Sequence, residues 1–340
     1  MQQQLSRRTV LKQTFGFSAT VLMGSLPTVA ASAGSDAGAS HFTMIGDWGP
    51  KRGRTGGQKA VARGMTGYLT KHKITPEAMF LLGDNFYGEM PGGVECSRWK
   101  KQFSDIYPPA VYPGPCYAIL GNHEYDDQRK KKIIAQLNYK KHKPTTRWNM
   151  PAKWYRVDLG PQQSPLMTVL CLDSNFSNRR DQLTARERKE QLAWLKAQLA
   201  KPRTTPWLVV NGHHPLYSCG HYGDFPEIVA EWDQLFRQHR VDFYFCGHEH
   251  DLQHLEFEGH PTSFVVSGGG GAPPRSMKDC EGRGPFGERT LGFTHLEVTQ
   301  QQFMVRHVNE QQQIIHAFSK TPDGKVKLLE VAHREPEPPA

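Results

Sequence analysis

The sequence has no pair of cysteines at the spacing of a thiolate metal site, which removes one large class of functions. None of its six cysteines form a CxxC pair, so zinc or iron-sulfur binding by thiolates has little support. Cys171 and Cys246 lie in apolar runs, and we expect them to be buried. The other four sit near loops and could form disulfides in an oxidising compartment, in a pairing that the sequence leaves open. These four are Cys96, Cys116, Cys219 and Cys280.

A basic stripe with interleaved aromatic residues is also missing. The chain carries 42 Lys and Arg against 33 Asp and Glu, a formal charge of +9. Because this excess is moderate and spread among many acids, it favours anionic substrates by steering and argues against a nucleic-acid partner. With 340 residues and 37% hydrophobic side chains, the chain can bury the core of a globular enzyme.

The first 33 residues contain no acidic side chain, and they resemble an export signal. Arg7 and Arg8 lie in the segment SRRTVLK, which is followed by a weakly charged apolar stretch and by small residues up to Ala33. An uncleaved membrane anchor is the alternative, but the stretch is short and rich in Gly, Ser and Thr for a spanning helix. No later run is long enough to span a bilayer.

These features predict four segments: a twin-arginine signal peptide over residues 1–33, a linker over 34–40, one folded domain over 41–332 and a disordered tail over 333–340. We therefore expect the twin-arginine export machinery as a partner and a periplasmic or secreted bacterial protein. After cleavage no stable membrane anchor would remain.

Five apolar runs end in a glycine that is followed at once by Asp, Asn or His. These five glycine junctions are MIGDWG, FLLGDNFY, AILGNHEY, LVVNGHHP and FYFCGHEH. Each is typical of a short buried strand that ends in a glycine turn. A single Asp or His in such a place is usually a turn or structural residue. Five together predict metal ligands that converge on one edge of a sheet.

The segments around these junctions predict alternating strands and helices in the first half and strands in the second. We expect helices at 58–73 and 184–201 and strands at 169–172 and 207–210. The segment 88–112 reads as a loop with a short helix near 97–106. A basic segment, 129–147, is typical of a solvated surface and could also attract phosphate.

Beyond residue 247 the pattern is that of β-strands, which we expect to form a sheet closing over the first half. The predicted strands lie at 262–267, 292–298, 302–308 and 313–317, with a hairpin turn at 322–324. The glycines of 268–271 read as a tight turn rather than a phosphate cradle, because no GK[ST] follows them.

Taken in order, GDWG, GDNFY, GNHE, GHHP and GHEH resemble the metal-binding motifs of calcineurin-like metallophosphoesterases. The tyrosine of GDNFY resembles the small purple acid phosphatases of the tartrate-resistant type. The resemblance implies an α/β fold, a four-layer αββα sandwich of two mixed sheets flanked by helices. It also implies a dinuclear metal centre at the strand ends, within a single catalytic domain.

The resemblance divides seven ligands between two metals. The first site, which would hold Fe(III), takes Asp47, Tyr87 and His250, and Asp84 bridges both metals. The second site would hold Fe(II), Zn(II) or Mn(II), and its ligands would be Asn122, His213 and His248. Hard carboxylate and phenolate donors suit Fe(III), whereas imidazoles and an amide oxygen suit a divalent ion.

Two further histidines are the catalytic candidates. His123 resembles the family's substrate-contacting histidine and would bind phosphate or protonate the leaving alcohol. His221 lies near a second such position, shifted by one residue. We expect His214 to pack beside the ligands.

The remaining polar residues near the junctions receive supporting roles. We expect Glu124 and His254 to support the site by hydrogen bonding. Asp173 and Asn175, which also follow a strand, are expected to form a turn.

The resemblance implies an exported acid phosphatase that hydrolyses phosphomonoesters by attack of a metal-bound hydroxide at an Fe(III)-M(II) centre. Two alternatives remain open at this point. One is a phosphodiesterase or nucleotidase with a Mn or Zn pair and an unligated Tyr87. The other is a phosphate-binding or metal-binding protein without catalysis, which the complete set of ligand positions disfavours.

Overall fold

The computed structural model describes residues 38–49, 53–126, 131–176 and 182–331. The predicted signal peptide and tail, and most of the predicted linker, lie outside these residues. Within the described ranges, every helix is too short or too polar to traverse a bilayer.

The first sheet is mixed and has eight strands. Its members are β1 (Ser40–Ile45), β2 (Ala78–Leu81), β3 (Cys116–Ala118), β4 (Trp148–Asn149), β12 (Gly292–Val298), β13 (Phe303–Asn309), β14 (Ile314–Lys320) and β15 (Val326–Leu328). Their spatial order is β15-β14-β13-β12-β1-β2-β3-β4. Strand β1 pairs in parallel with β2 and antiparallel with β12. Three glycine junctions therefore end neighbouring parallel strands, β1, β2 and β3.

The second sheet is also mixed and has seven strands. They are β5 (Tyr155–Leu159), β6 (Met167–Cys171), β7 (Trp207–Asn211), β8 (Phe243–Cys246), β9 (Leu252–Leu255), β10 (Ser263–Ser267) and β11 (Phe286–Glu288). Their spatial order is β11-β9-β10-β8-β7-β6-β5, with β6, β7, β8 and β10 parallel. The last two glycine junctions end the adjacent strands β7 and β8.

The inner strands of the second sheet are buried, and their alternating side chains face two different apolar clusters. Val209 belongs to an apolar cluster with Phe42 and Phe80 of the first sheet. Its neighbour Val210 belongs to a second cluster, which contains Leu195 and Trp232 from two helices. One core thus lies between the sheets and another lies under those helices.

Among the described residues, four α-helices accompany the sheets: α1 (Gly56–Lys71), α2 (Lys131–His142), α3 (Ala185–Leu199) and α4 (Pro226–Gln238). The predicted helices at 58–73 and 184–201 are confirmed as α1 and α3. Thr184 caps α3, since its hydroxyl accepts from the Glu187 N–H and the Glu187 side chain reaches back. Helix α4 begins with proline at its first position and was not predicted.

The basic segment 129–147 is not simply a solvated surface, because helix α2 occupies its centre. Ile133, Gln136 and Tyr139 are buried at helical spacing between the lysines. Tyr139 stacks on Trp99 with ring centroids 3.6 Å apart. Trp99 opens a π-helical segment, Trp99–Ser104, inside the predicted short helix. The sequence pattern did not indicate this helix, because its few buried residues alternate with many basic side chains.

The expectation that the C-terminal strands form a sheet closing over the first half is wrong for β12 to β15. Instead β12 to β15 extend the first sheet from the free side of β1. This arrangement pairs the backbone of β1 on both sides. The hairpin turn at 322–324 is confirmed between β14 and β15, where the Gly324 N–H donates to the Thr321 carbonyl at 2.8 Å.

One disulfide joins Cys219 to Cys280. Cys171 and Cys246 are buried, as predicted. The remaining two cysteines, Cys96 and Cys116, are also buried and unpaired, although the sequence placed them near loops.

Candidate metal centre

The structure brings the seven predicted ligands together at the carboxyl ends of five strands. Asp47 follows β1, Asp84 and Tyr87 follow β2, Asn122 follows β3, His213 follows β7, and His248 and His250 follow β8. Asp47, Asp84 and His248 each come directly after a glycine and have positive φ values of 58°, 52° and 68°. Such strained backbone, held at three of seven positions, is typical of a functional site.

One side of the cluster is rich in oxygen. The Tyr87 hydroxyl donates to Asp47 Oδ1 at 3.1 Å and lies 3.2 Å from His250 Nε2. His250 Nε2 is 3.5 Å from the same Asp47 oxygen. These three side chains therefore share one small space.

The other side is rich in nitrogen. Asn122 Oδ1 lies 2.9 Å from His248 Nδ1 and 3.1 Å from His213 Nε2. Asp84 joins the two sides, because its Oδ1 is 3.4 Å from His213 Nε2. One side-chain atom each from Asp47, Asp84 and His213 also lie within 4.8 Å of one another.

The histidine tautomers fit a cation in both places. His213 Nδ1 lies 2.8 Å from the Leu82 carbonyl, and His250 Nδ1 lies 2.8 Å from the Pro273 carbonyl. Since a carbonyl only accepts, these Nδ1 atoms carry protons, and in the neutral imidazoles the Nε2 lone pairs point at Asp84 and Asp47. Lone pairs facing carboxylate oxygens repel unless a positive charge lies between them. The donor set therefore suits metal ions.

Burial governs the charge of the same side chains. It raises the pKa of the Tyr87 phenol well above its usual value, and Asp84 and Asp47 add to that shift. Burial also lowers the pKa of His248 far below its usual value, which keeps the imidazole neutral. Burial alone would raise the pKa of Asp84, but the positive charge that His213 and His123 carry when protonated outweighs burial and lowers that pKa. Neutral imidazole and ionised carboxylate are the forms that bind metals.

Glu124 supports the site as predicted. Its buried carboxylate accepts from the backbone N–H groups of Gly121, Asp84 and Phe86 at 2.8, 3.0 and 3.0 Å. The glycine junctions after β2 and β3 are thereby tied together. The Lys132 ammonium of α2 donates to the His123 carbonyl beside them, so the basic segment contributes a buried structural charge here.

The prediction for His254 was wrong. Its ring nitrogens lie 3.0 Å from His316 and 2.7 Å from Glu256, and within the described ranges it contacts no predicted ligand by a hydrogen bond. The His254 ring stacks on Phe318 of β14, with centroids 3.5 Å apart, and the sequence alone could not reveal this long-range contact.

The turn predicted for Asp173 and Asn175 is present. The Asp173 Oδ1 atom accepts from the Asn175 backbone N–H at 3.1 Å and from its amide group at 2.7 Å. His214 packs its ring 4.3 Å from that of His248, and its Nδ1 lies 2.9 Å from Ser174 Oγ. His214 therefore packs beside the predicted ligands, as expected, whereas Asp173 and Asn175 form the turn.

The two catalytic candidates have different surroundings. The His123 ring lies 4.2 Å from that of Tyr87, its Nε2 is 3.9 Å from Asp84 Oδ2, and its Nδ1 contacts Asp126. His221 is exposed and lies 3.0 Å from Ser276 Oγ. The described structure gives His221 no contact with a predicted ligand.

Sequence reasoning missed Tyr222 and Arg275. The Tyr222 ring stacks on the His248 imidazole with centroids 4.7 Å apart, and the Arg275 guanidinium lies 4.9 Å from the centroid of the same tyrosine ring. Arg275 also donates to the His248 carbonyl at 3.3 Å. The Cys219–Cys280 disulfide joins the two loops that carry these residues. No local motif marks a contact between positions so far apart in sequence.

Known proteins resemble this chain along most of its length. Residues 40–252 match the family described as calcineurin-like phosphoesterase. Tartrate-resistant acid phosphatase type 5 of Oryctolagus cuniculus is 30% identical over 292 residues, which cover 79% of this chain and 86% of that protein. Purple acid phosphatase 7 of Arabidopsis thaliana is 29% identical, covering 68% of this chain and 70% of that protein.

Solved structures support the fold. The structure of GAP50, the anchor in the inner membrane complex of Plasmodium, has a TM-score of 0.69 at 19% identity, covering 87% of this chain and 90% of that chain. A purple acid phosphatase from yellow lupin has a TM-score of 0.64 at 20% identity, covering 85% and 54%. Two mixed sheets, a dinuclear site at their strand ends and the family match agree. The chain belongs to the calcineurin-like phosphoesterase family, and it is a metallophosphoesterase that resembles tartrate-resistant and purple acid phosphatases.

Proposed function

We propose that this protein is an exported purple acid phosphatase that hydrolyses phosphomonoesters. The observation that carries the proposal is the position of Tyr87, whose hydroxyl lies 3.1 Å from Asp47 Oδ1 and 3.2 Å from His250 Nε2. A phenol in that place is a candidate ligand for a trivalent ion, because only a strong positive charge offsets the raised pKa that burial gives it.

Fe(III) would be held by Asp47, Tyr87 and His250. A divalent Fe, Zn or Mn ion would be held by Asn122, His213 and His248, with Asp84 between the two ions. Such a metal pair polarises a phosphoryl oxygen and makes water acidic enough to act as a nucleophile near neutral or acid pH. The protein itself contributes the fixed tautomers of His213 and His250, and the Glu124 contacts that hold the loops in place.

Tyr87→Phe tests this assignment. Purified wild-type protein should show a purple absorption band, iron by elemental analysis and phosphate release from phenyl phosphate. The variant should lose the band, because the phenolate that donates charge to iron is gone. Tyr125→Phe, which changes a buried tyrosine bonded to Asp173 instead, is the matched control. A wild-type protein that is metal-loaded but colourless, and that releases no phosphate from phenyl phosphate, would contradict the proposal.

His123 is the proposed general acid for the leaving alcohol. Burial alone would lower its pKa, but the hydrogen bond to Asp126 and the charges of Asp84 and Asp126 raise it. The protonated form therefore persists to higher pH than for an ordinary histidine. Asp126→Asn should shift the alkaline limb of the kcat profile to lower pH, measured with ethyl phosphate, whose poor leaving group needs the proton. An unchanged limb would remove His123 from this role.

His221 remains a proposed second substrate contact. His221→Ala is expected to raise KM for phenyl phosphate, and an unchanged KM would rule the contact out. Its exposed position, hydrogen-bonded to Ser276, leaves its ring at the protein surface.

Export is proposed from the twin-arginine segment and cleavage after Ala33. The Cys219–Cys280 disulfide supports an oxidising destination such as the periplasm. Cell fractionation of a double variant, Arg7→Lys with Arg8→Lys, tests the route. Retention of the variant in the cytoplasm is expected, and normal export would contradict twin-arginine transport.

A further inference from the structure

A cavity of about 370 Å³ adjoins the metal centre on the side of Tyr87 and His250. Besides these two residues, its lining includes Arg54, Leu291, Pro273 and Ala272. This volume falls within the range of small-molecule sites, roughly 300 to 1,000 Å³. Because the cavity reaches the candidate centre directly, a phosphomonoester bound there has room for its alcohol portion beside the metals.

Part of the cavity wall is formed by two backbone segments in close contact. Gly57, in the first turn of α1, and Gly271, in the loop after β10, both line it. A Cβ on Gly57 would lie 2.4 Å from the Gly271 carbonyl oxygen, and one on Gly271 would lie 2.6 Å from Gln58 Cα. Glycine is therefore required where these segments meet, and this part of the wall has little room to move inward.

The chemistry of the lining selects a ligand class. Leu291, Pro273 and Ala272 offer carbon surfaces, which suit a flat apolar group. Arg54 is exposed and makes no hydrogen bond or ion pair within the part of the chain that the structure describes. No carboxylate lines the cavity among those residues. A free guanidinium at the edge of an apolar cavity favours a bound carboxylate or phosphate.

We propose that this cavity binds the leaving group of an aryl phosphomonoester that carries a second anionic group. The ring contacts Leu291 and Pro273, and the second anion pairs with Arg54. This inference rests on the proposed phosphatase function and adds to it a substrate class.

Steady-state kinetics with two esters test the role of Arg54. Phenyl phosphate and 4-carboxyphenyl phosphate differ only in the second anion. Arg54→Gln should raise KM for the carboxylated ester about fivefold more than for phenyl phosphate, the size of a partly exposed ion pair. Arg63→Gln removes the same charge from an exposed position of α1 that does not line the cavity, and it should leave both values unchanged.

A second variant tests the apolar wall. Leu291→Asn should raise KM for phenyl phosphate several-fold while KM for ethyl phosphate stays constant, since an ethyl group covers little of the cavity. Equal changes for the aryl and alkyl esters would overturn the proposal. So would an equal loss in Arg54→Gln for both aryl esters, or the same loss in Arg63→Gln.

Direct binding separates this inference from the phosphatase proposal. An NMR titration with 4-hydroxybenzoate, the alcohol that the carboxylated ester would release, should show tighter binding to wild type than to Arg54→Gln. If the metal-loaded protein hydrolyses neither ester, the proposed function fails, yet an Arg54-dependent titration still supports the cavity. If both esters are hydrolysed and the titration shows no dependence on Arg54, only the substrate class is wrong.

Discussion

The protein buries two groups of histidines whose surroundings differ sharply. His213 and His250 at the metal centre face carboxylates, at 3.4 and 3.5 Å. His307 and His316 of the C-terminal strands form a cross-strand pair in the middle of β13 and β14. The His316 ring stacks on Phe286 with centroids 4.5 Å apart. The first group lies at strand ends with lone pairs converging, whereas the second is packed against aromatic rings.

The two groups therefore respond differently to protons. Asp47 raises the pKa of His250, although burial alone would lower it. Burial lowers the pKa of His307 from 6.5 to about 3, and with His307 and His254 nearby it lowers that of His316 to about 2. In these two pairs, a buried histidine beside a carboxylate keeps a raised pKa, whereas buried histidines packed against aromatic rings and other histidines stay neutral.

The largest effect is expected when a carboxylate that faces the histidines of the candidate metal centre is replaced. Asp84→Asn removes the charge that links the two halves of the centre, so we expect metal content to fall and kcat/KM to drop more than about 100-fold. Elemental analysis and phosphate release measure both. Asp173→Asn, at an equally buried aspartate after β6, is the matched control. If both variants kept their metal, Asp84 would be a structural residue like Asp173.

The second prediction concerns the histidines that lack carboxylates. Because the pKa of His316 is lower folded than unfolded, its contribution to stability is complete above pH 6.5 and is lost as the pH falls toward 2. Each unit by which the pH falls in that window lowers the free energy of unfolding by about 1.4 kcal/mol. His316→Phe keeps an aromatic ring and cannot take up a proton. The difference in unfolding free energy between pH 7 and pH 5 should therefore shrink by about 2 kcal/mol.

Urea unfolding at both pH values measures that difference for wild type and variant. The substitution also removes the contact between His316 and His254. Because that loss occurs at both pH values, it cancels when the pH-dependent change in unfolding free energy is compared between wild type and variant. His221→Phe, made at an exposed histidine, is the control and should change the difference little. An unaltered pH difference in His316→Phe would mean that the cross-strand histidines do not limit acid stability.

The comparison also separates what the sequence could predict from what it could not. Each candidate ligand follows a glycine at the end of an apolar run, so Asp47 and His248 were visible from their immediate neighbours. The pairing of β1 with β12 joins residues far apart in the chain, and nothing local in either strand specifies it. For the same reason the contact of Tyr222 with His248 and the error over His254 both depend on long-range packing.

The smallest predicted effect tests how the two groups are covered. His254 stacks on the buried Phe318 and His316 on the half-buried Phe286, whereas His248 is covered by Tyr222, which is 48% exposed. Tyr222→Leu should therefore raise KM for phenyl phosphate only about threefold, the loss expected for one partly exposed aromatic contact, and leave the melting temperature unchanged. Tyr222→Phe keeps the ring and should match wild type in KM. A lowered melting temperature with unchanged KM would place Tyr222 with the packed C-terminal histidines, because its ring would then stabilise the loop without reaching the substrate.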